Sequence, residues 1–288
     1  MRGGYKMFSL KVKNNRDEEM FLTGNANYTL FKIEGLNPPQ ATINSSVNAT
    51  TDGSIINSVR TESRNIVLYI AIEGDIETNR LDVYKYFPVK QTVTLYFSNG
   101  SRDVYINGIV EVIECDLFSN KQIAQVSIVC PQPYFKAIEE LSISFGDVLK
   151  SFQFPFSIPV EGIEFSPVVS NQRKTIVNTG DAETGIVIEM FSVGTVENPV
   201  IYNVLTGGKM QFNTIMQPSD KIIINTNVGE KAITLVREGV SYNAMGLMTA
   251  DSEWFKLING DNVFTYDADS GTSSLQLNFT AALLYSGV

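Results

Sequence analysis

The feature that most constrains this chain is a recurrence of short β-branched and aromatic runs, about ten residues apart, separated by turn residues and not by helices. Along the second half they fall at Leu141–Phe145, Ser151–Phe156, Lys174–Asn178, Gly185–Phe191, Val200–Val204 and Lys209–Phe212. They continue at Lys221–Asn225, Ala232–Val236, Trp254–Leu257, Asn262–Tyr266 and Ser274–Phe279. Short strands without crossover helices pair with sequence neighbours, which predicts an antiparallel sandwich.

The first half is also strand-rich. Val93–Phe97 and Val104–Ile106 flank Asn99-Gly100, the strongest short-range hairpin signal. Val104–Glu114 and Gln122–Val129 form a second expected hairpin around Ser119-Asn120-Lys121, and Ile66–Ile72 is a buried strand ending near Gly74. Together they predict a sheet or barrel. One segment departs from the pattern. Asp75–Phe87 sets Ile76, Val83, Tyr84 and Phe87 on roughly one helical face, offers Asp75 as N-cap and Glu77 in the first turn, and stops at Pro88.

Between Gly35 and Glu62 the chain turns polar and rich in Ser, Thr, Asn and Gly, after Pro38-Pro39. It is either a flexible surface loop or an arm that orders only against a neighbour. Pro131 and Pro133 punctuate the middle, and 288 residues suit two domains, here placed at 1–133 and 134–288.

Composition narrows the chemistry. The chain has no histidine, which removes Ser-His-Asp and Cys-His nucleophiles, His-based zinc and iron sites and the usual neutral-pH proton shuttle. With 31 acidic against 22 basic residues the formal charge is -9, the wrong sign for holding phosphate backbones. Cys115 and Cys130 would face about Gln125 and Val110 across the second hairpin. That offset is too long for a disulfide, so two reduced core thiols are expected. Met1–Leu10 carries Arg2 and Lys6 but no apolar stretch, so no secretory leader is expected. The clearest apolar run, Ile66–Ile72, is far below the ~20 residues that span a bilayer, so no membrane insertion is expected either.

Each candidate motif has a plainer reading. Thr206-Gly207-Gly208-Lys209 lacks the first glycine of a phosphate loop and has Met210 where Ser or Thr belongs, which favours a turn. Asp267-Ala268-Asp269-Ser270-Gly271 has its glycine one position early for a calcium loop and Asn278 at the bidentate position. A hairpin turn joining the Asn262 and Ser274 strands is the better account, with a weak calcium site left open. Glu111, Glu114, Asp116, Glu139 and Glu140 are the carboxylates a glycosidase would have to use, and solvated acids are their default. Trp254, Tyr202, Tyr242 and Tyr266 could stack on sugars, although Trp254 sits in an alternating run that suits a core. No catalytic, cofactor or metal residues are assigned.

The order of signals resembles the distal tail protein family of long-tailed, non-contractile bacteriophages. In the first half the resemblance rests on Ile33-Glu34-Gly35-Leu36-Asn37-Pro38-Pro39, Arg64 before the apolar strand, Gly74-Asp75 opening a helix that contains Arg80, and Phe87-Pro88 closing it. Asn107-Gly108-Ile109-Val110-Glu111, Phe118-Ser119 and Cys130-Pro131-Gln132-Pro133-Tyr134-Phe135 follow. In the second half it rests on Ile176-Val177-Asn178-Thr179-Gly180-Asp181, Asn198-Pro199-Val200-Ile201-Tyr202-Asn203 and Gly239-Val240-Ser241-Tyr242. Leu257-Ile258-Asn259-Gly260-Asp261-Asn262 and Tyr285-Ser286-Gly287-Val288 complete it. The ordered set carries the resemblance, and no single piece does.

The resemblance implies a mainly β chain: an amino-terminal, tail-tube-like β-barrel with one helix, and a carboxy-terminal galectin-like antiparallel β-sandwich. It implies a non-enzymatic homo-hexameric ring at the distal end of a virion tail, assembled in the host cytoplasm. The ring would stand between the tail-tube protein and the tail hub or tip protein, in some relatives carrying receptor-binding proteins, with DNA passing through unbound. Inserted carbohydrate-binding domains of larger relatives look absent at this length. Two alternatives stand beside it: a carbohydrate-binding host-adhesion module and a carboxylate-dependent glycosidase.

Overall fold

The computed structural model describes residues 8–48, 50, 52–119, 121–145 and 173–288. The expected strand at Ser151–Phe156 lies outside them. The chain divides into two compact units: Met1–Glu139 with Leu284–Val288, and Glu140–Leu283. The fold is mainly β, with antiparallel sheets and, among the described residues, one α-helix.

The first unit contains β1 (Ser9–Lys13), β2 (Glu19–Phe21), β3 (Tyr28–Glu34), β4 (Ala41–Ser46), β5 (Ile55–Thr61) and β6 (Arg64–Ile72). Helix α1 (Ile76–Tyr86), β7 (Thr92–Ser98), β8 (Asp103–Cys115), β9 (Ile123–Cys130) and the start of β10 (Phe135–Phe145) follow. Its ladder runs β2-β1-β7-β8-β9-β6-β3, with β10 beside the start of β8. Among the described residues no ladder joins β2 to β3, so the hydrogen-bonded circuit stops there. Alternate residues point inward: Leu10 and Val12, Leu95 and Phe97, Val104 and Ile106, Leu68 and Ile70, and Val126 and Ile128 share one core. Each such side chain stabilises the unit by about 1.5–3 kcal/mol.

Helix α1 begins as its cap predicts. Asp75 accepts from the Thr78 amide and, at 2.8 Å, from its hydroxyl. Val83 and Phe87 are buried and Ile76 is partly buried, but Tyr84 is exposed. One residue beyond Val83 is about 100° round the helix. Asn79 takes the inward place, donating to the Glu73 carbonyl at 2.6 Å while its own carbonyl accepts from the Tyr28 hydroxyl at 3.2 Å.

Both expected hairpins form, β7–β8 with Ser98 opposite Asp103 and β8–β9 with Cys115 opposite Ala124. The second register is one residue off expectation at Cys115, and farther along a bulge between Val110 and Val112 shifts it again. The cysteines are free thiols.

The second unit contains β11 (Arg173–Asn178), β12 (Val187–Ser192), β13 (Val196–Glu197), β14 (Val200–Asn203), β15 (Lys209–Gln211) and β16 (Ile215–Met216). It continues with β17 (Lys221–Asn225), β18 (Ala232–Arg237), β19 (Val240–Asn243), β20 (Gly260–Asp267) and β21 (Leu275–Tyr285). One sheet has the order β19-β18-β17-β12-β21, the other β11-β20-β14-β15, and β13 and β16 form a small ribbon. Ile188, Ile222 and Phe279 from the first sheet meet Ile176, Met210 and Phe264 from the second in one core. The rings of Phe264 and Phe279 stand 5.1 Å apart between the sheets. This is a two-layer antiparallel sandwich.

Two expectations need correcting. Trp254–Leu257 is not a strand; Leu257 makes one isolated bridge to Thr184, while Phe255 and Leu257 are buried. Alternation here marks a packed irregular segment. Asp267–Gly271 is not a hairpin turn, because β20 and β21 belong to different sheets. It carries the chain across the sandwich, and Gly271 turns there at φ 78° with an added Cβ only 2.1 Å from the Thr195 carbonyl oxygen, so no other residue fits without displacement.

Candidate assembly surface

The polar stretch after Pro38-Pro39 is an arm. Among the described residues, strands β4 and β5 pair only with each other, and almost every residue in them is exposed. Ile43 faces Val59, and Ile56 lies one step along opposite Ser45. These three are 58 %, 59 % and 61 % exposed. Thr42 with Arg60, Asn44 with Ser58 and Ser46 with Ile55 make the opposite face, polar apart from Ile55. An isolated two-stranded ribbon is marginal in water, and one with a bare apolar face is an interaction element.

The root of the arm is tied to the first unit by side-chain and backbone contacts. Glu62 donates its amide to the Gln40 carbonyl at 3.2 Å and accepts from the Thr42 hydroxyl at 2.6 Å. That hydrogen bond is the main reason the Glu62 carboxyl lies below the ordinary carboxylate range; burial works the other way and Arg60 assists. The Thr61 and Tyr134 hydroxyls stand 3.2 Å apart.

Just past the arm, Arg64 is only 4 % exposed. Its Nε donates to the Pro133 carbonyl at 2.7 Å, Nη1 to those of Asn37 at 2.7 Å and Gly35, and Nη2 to that of Ser286 at 2.6 Å. Its guanidinium centre lies 4.5 Å from the Phe135 ring centroid. Burial lowers the Arg64 pKa, and it pushes the neighbouring Cys130 thiol up to about 12, so that thiol is inert at neutral pH. Gly35, at φ 86°, leaves β3 so close to Asn65 that an added Cβ would sit 2.1 Å from its carbonyl oxygen. The strap Leu284–Val288 is held again by Arg102, whose Nη1 donates to the Gly287 carbonyl at 2.6 Å and whose guanidinium covers the Tyr285 ring at 4.3 Å. The Val288 amide donates to the Leu36 carbonyl at 3.3 Å. Gly35-Leu36-Asn37, Arg64, Pro133-Tyr134-Phe135 and Ser286-Gly287-Val288, scattered in sequence, therefore converge on one point. Sequence reasoning singled out these pieces without their junction. The available signal was phase: Arg64 lies in register with the inward residues Ile66, Leu68, Ile70 and Ile72.

The chemical candidates are placed differently. Thr206–Lys209 is the turn between β14 and β15, and the Lys209 ammonium lies 2.7 Å from Asp251. Asp267 accepts from the Ala268 amide and the Thr272 hydroxyl, and Asp269 from the Asn198 amide group, so both carboxylates hold the crossover together. Glu111 accepts from the Ser127 hydroxyl at 3.0 Å. Glu114, Asp116, Glu139 and Glu140 are exposed; Glu139 and Glu140 are adjacent on one strand and point to opposite faces. Tyr266 is buried edge-on against Phe145. Trp254 is half-buried with the Lys231 ammonium 5.1 Å over its ring. Tyr202 and Tyr242 are exposed but lie in different sheets, so the four aromatics form no common platform. No helix among the described residues is long and apolar enough to cross a membrane.

Residues 179–282 match the family model of the siphovirus-type tail component, C-terminal domain. The fold is similar to that of the phage SPP1 Dit protein, described as a paradigm of the hub adsorption apparatus in phages infecting Gram-positive hosts. The TM-score is 0.69 at 10 % identity, covering 96 % of this chain and 98 % of that one. It is also similar to a chain of the phage P2 baseplate in its activated conformation with Ca, at TM-score 0.53 and 13 % identity, and with Sr, at TM-score 0.50 and 12 % identity. Each comparison covers 96 % of this chain and 98 % of the other. No curated protein sequence matches.

Proposed function

Because this chain carries a siphovirus-type tail component C-terminal domain and the fold of a phage tail hub protein, we propose that it is a non-enzymatic, ring-building subunit at the distal end of a long non-contractile phage tail. Six copies close a ring in the virion between the tail tube and the tail hub or tip protein, and the ring supports receptor-binding proteins.

The observation that carries this reading is the arm. A ribbon with an uncovered apolar face and a rigid root is built to dock outside its own unit. A closed ring repeats that contact with no free end. The charge of -9 suits a conduit, since carboxylates on a lumen repel a passing duplex; a ring with a basic lumen would contradict that part.

The direct test is the mass and image of the purified full chain at increasing concentration, beside a variant lacking residues 39–62. Discrete six-fold rings from the full chain, and both units folded but unassembled in the variant, are expected. Normal rings from the shortened chain would remove the arm from the account, and a chain that stays single alone and with tail-tube and hub partners would remove the ring.

A further inference from the structure

The outward face of the first unit carries a second unusual feature. Phe21 on β2 is paired with Lys11 on β1, Lys11 with Tyr96 on β7, Tyr96 with Tyr105 on β8, and Tyr105 with Lys136 on β10. The neighbours of these residues along each strand, such as Leu10, Leu95, Val104 and Phe135, point into the core. The five therefore form one outward row across five strands. The Lys11 ammonium sits 4.7 Å from the Tyr96 ring centroid and 5.9 Å from that of Phe21, and is paired with Glu19 at 2.9 Å. The Tyr96 and Tyr105 rings are 5.9 Å apart.

We propose that this aromatic and lysine stripe is the seat on which the arm of a second copy lies. The inference rests on the ring-building reading above and names the surface that reading needs. Three points carry it. The arm face of Ile43, Val59 and Ile56 stays more than half exposed in its own chain, so its cover comes from another. Aromatic rings and lysine methylenes are the partners that β-branched side chains pack on, and that arm face bears no charge to desolvate. The dimensions agree: six paired residues make a ribbon of roughly 20 Å, and five strands at about 4.8 Å make a stripe of roughly 19 Å.

The test replaces Val59 in the full chain with a benzophenone amino acid, mixes it with isotopically heavy unsubstituted chain, irradiates, and maps the cross-linked peptides. Heavy-to-light cross-links into the peptides holding Lys11, Tyr96 or Tyr105 are expected. Heavy-to-light cross-links falling instead on α1, on another arm or elsewhere overturn the seat and leave the oligomer standing. A chain that stays single by light scattering both alone and with tail-tube and hub partners, with cross-links only within itself, overturns both. As a second measure, Tyr96→Ser with Tyr105→Ser, checked for an unchanged circular dichroism spectrum, is expected to weaken self-association at least tenfold; unchanged association overturns the proposal.

Discussion

Strands β5 and β6 are separated by two residues, and both carry isoleucine and valine, yet they have opposite fates. In β6 the side chains alternate, and Ile66, Leu68 and Ile70 are fully buried. In β5 every residue but the last is exposed. Strand-forming chemistry is thus common to both, and what separates them is the number of layers beneath. β6 has ladder partners on both sides and a core under one face, whereas β5 has, among the described residues, one ladder partner and a place in neither core. The first is stabilised by packing within its own unit, and the second by its ladder with β4.

The largest change should come at the junction between them. Arg64→Ala leaves four carbonyls without this donor, that of Pro133 buried and those of Gly35, Asn37 and Ser286 partly so, and is expected to destabilise the first unit by about 3–5 kcal/mol, read as a fall in its denaturant midpoint; a loss below about 1 kcal/mol would mean that the junction is ornamental. Leu68→Ala in β6 should cost about 3 kcal/mol, and a near-neutral result would show the core there to be loosely packed. Val59→Ser in β5 should leave the stability of the single chain within about 0.5 kcal/mol while weakening assembly in sedimentation experiments. Equal damage to stability would erase the contrast between the strands.

The smallest effect is a pH dependence at the arm root. Because the Glu62 carboxyl lies below its unfolded value, its contribution is fully present above the unfolded pKa and disappears as pH falls through the folded pKa. Amide protection factors at Gln40–Thr42 and Arg60–Glu62, taken relative to the intrinsic exchange rate at each pH, should therefore fall on acidification in that window, ahead of β6. Protection that rose, or that changed first in β6, would contradict the assignment.

Local chemistry made part of this molecule legible. Asn99-Gly100 announced the β7–β8 turn, and Asp75 with Pro88 bracketed α1, because those signals act within a few residues. The arm was harder to recognise as two strands, since its Ser, Thr and Asn residues match both a loop and a ribbon with no core under it. The crossover at Asp267–Gly271 has hairpin chemistry, and only the distant partners of β20 and β21 show that it changes sheets. The Arg64 junction was illegible for a different reason. Its acceptors are backbone carbonyls, which every residue type carries, and they come from segments up to 222 positions away.

That distance has a consequence for timing. The strap bearing Ser286 and Gly287 is translated after the whole of Glu140–Leu283, on the order of ten seconds after Arg64 at usual elongation rates. Until then the junction at the foot of the arm lacks one of its segments. Newly made chains that stop at residue 283 should show an arm cut faster by protease than chains that include residues 284–288, and equal cutting would refute this. On the ring-building proposal, a nascent chain on a crowded polysome thus holds its ribbon unset, and it becomes competent to join its siblings only after the strap has arrived.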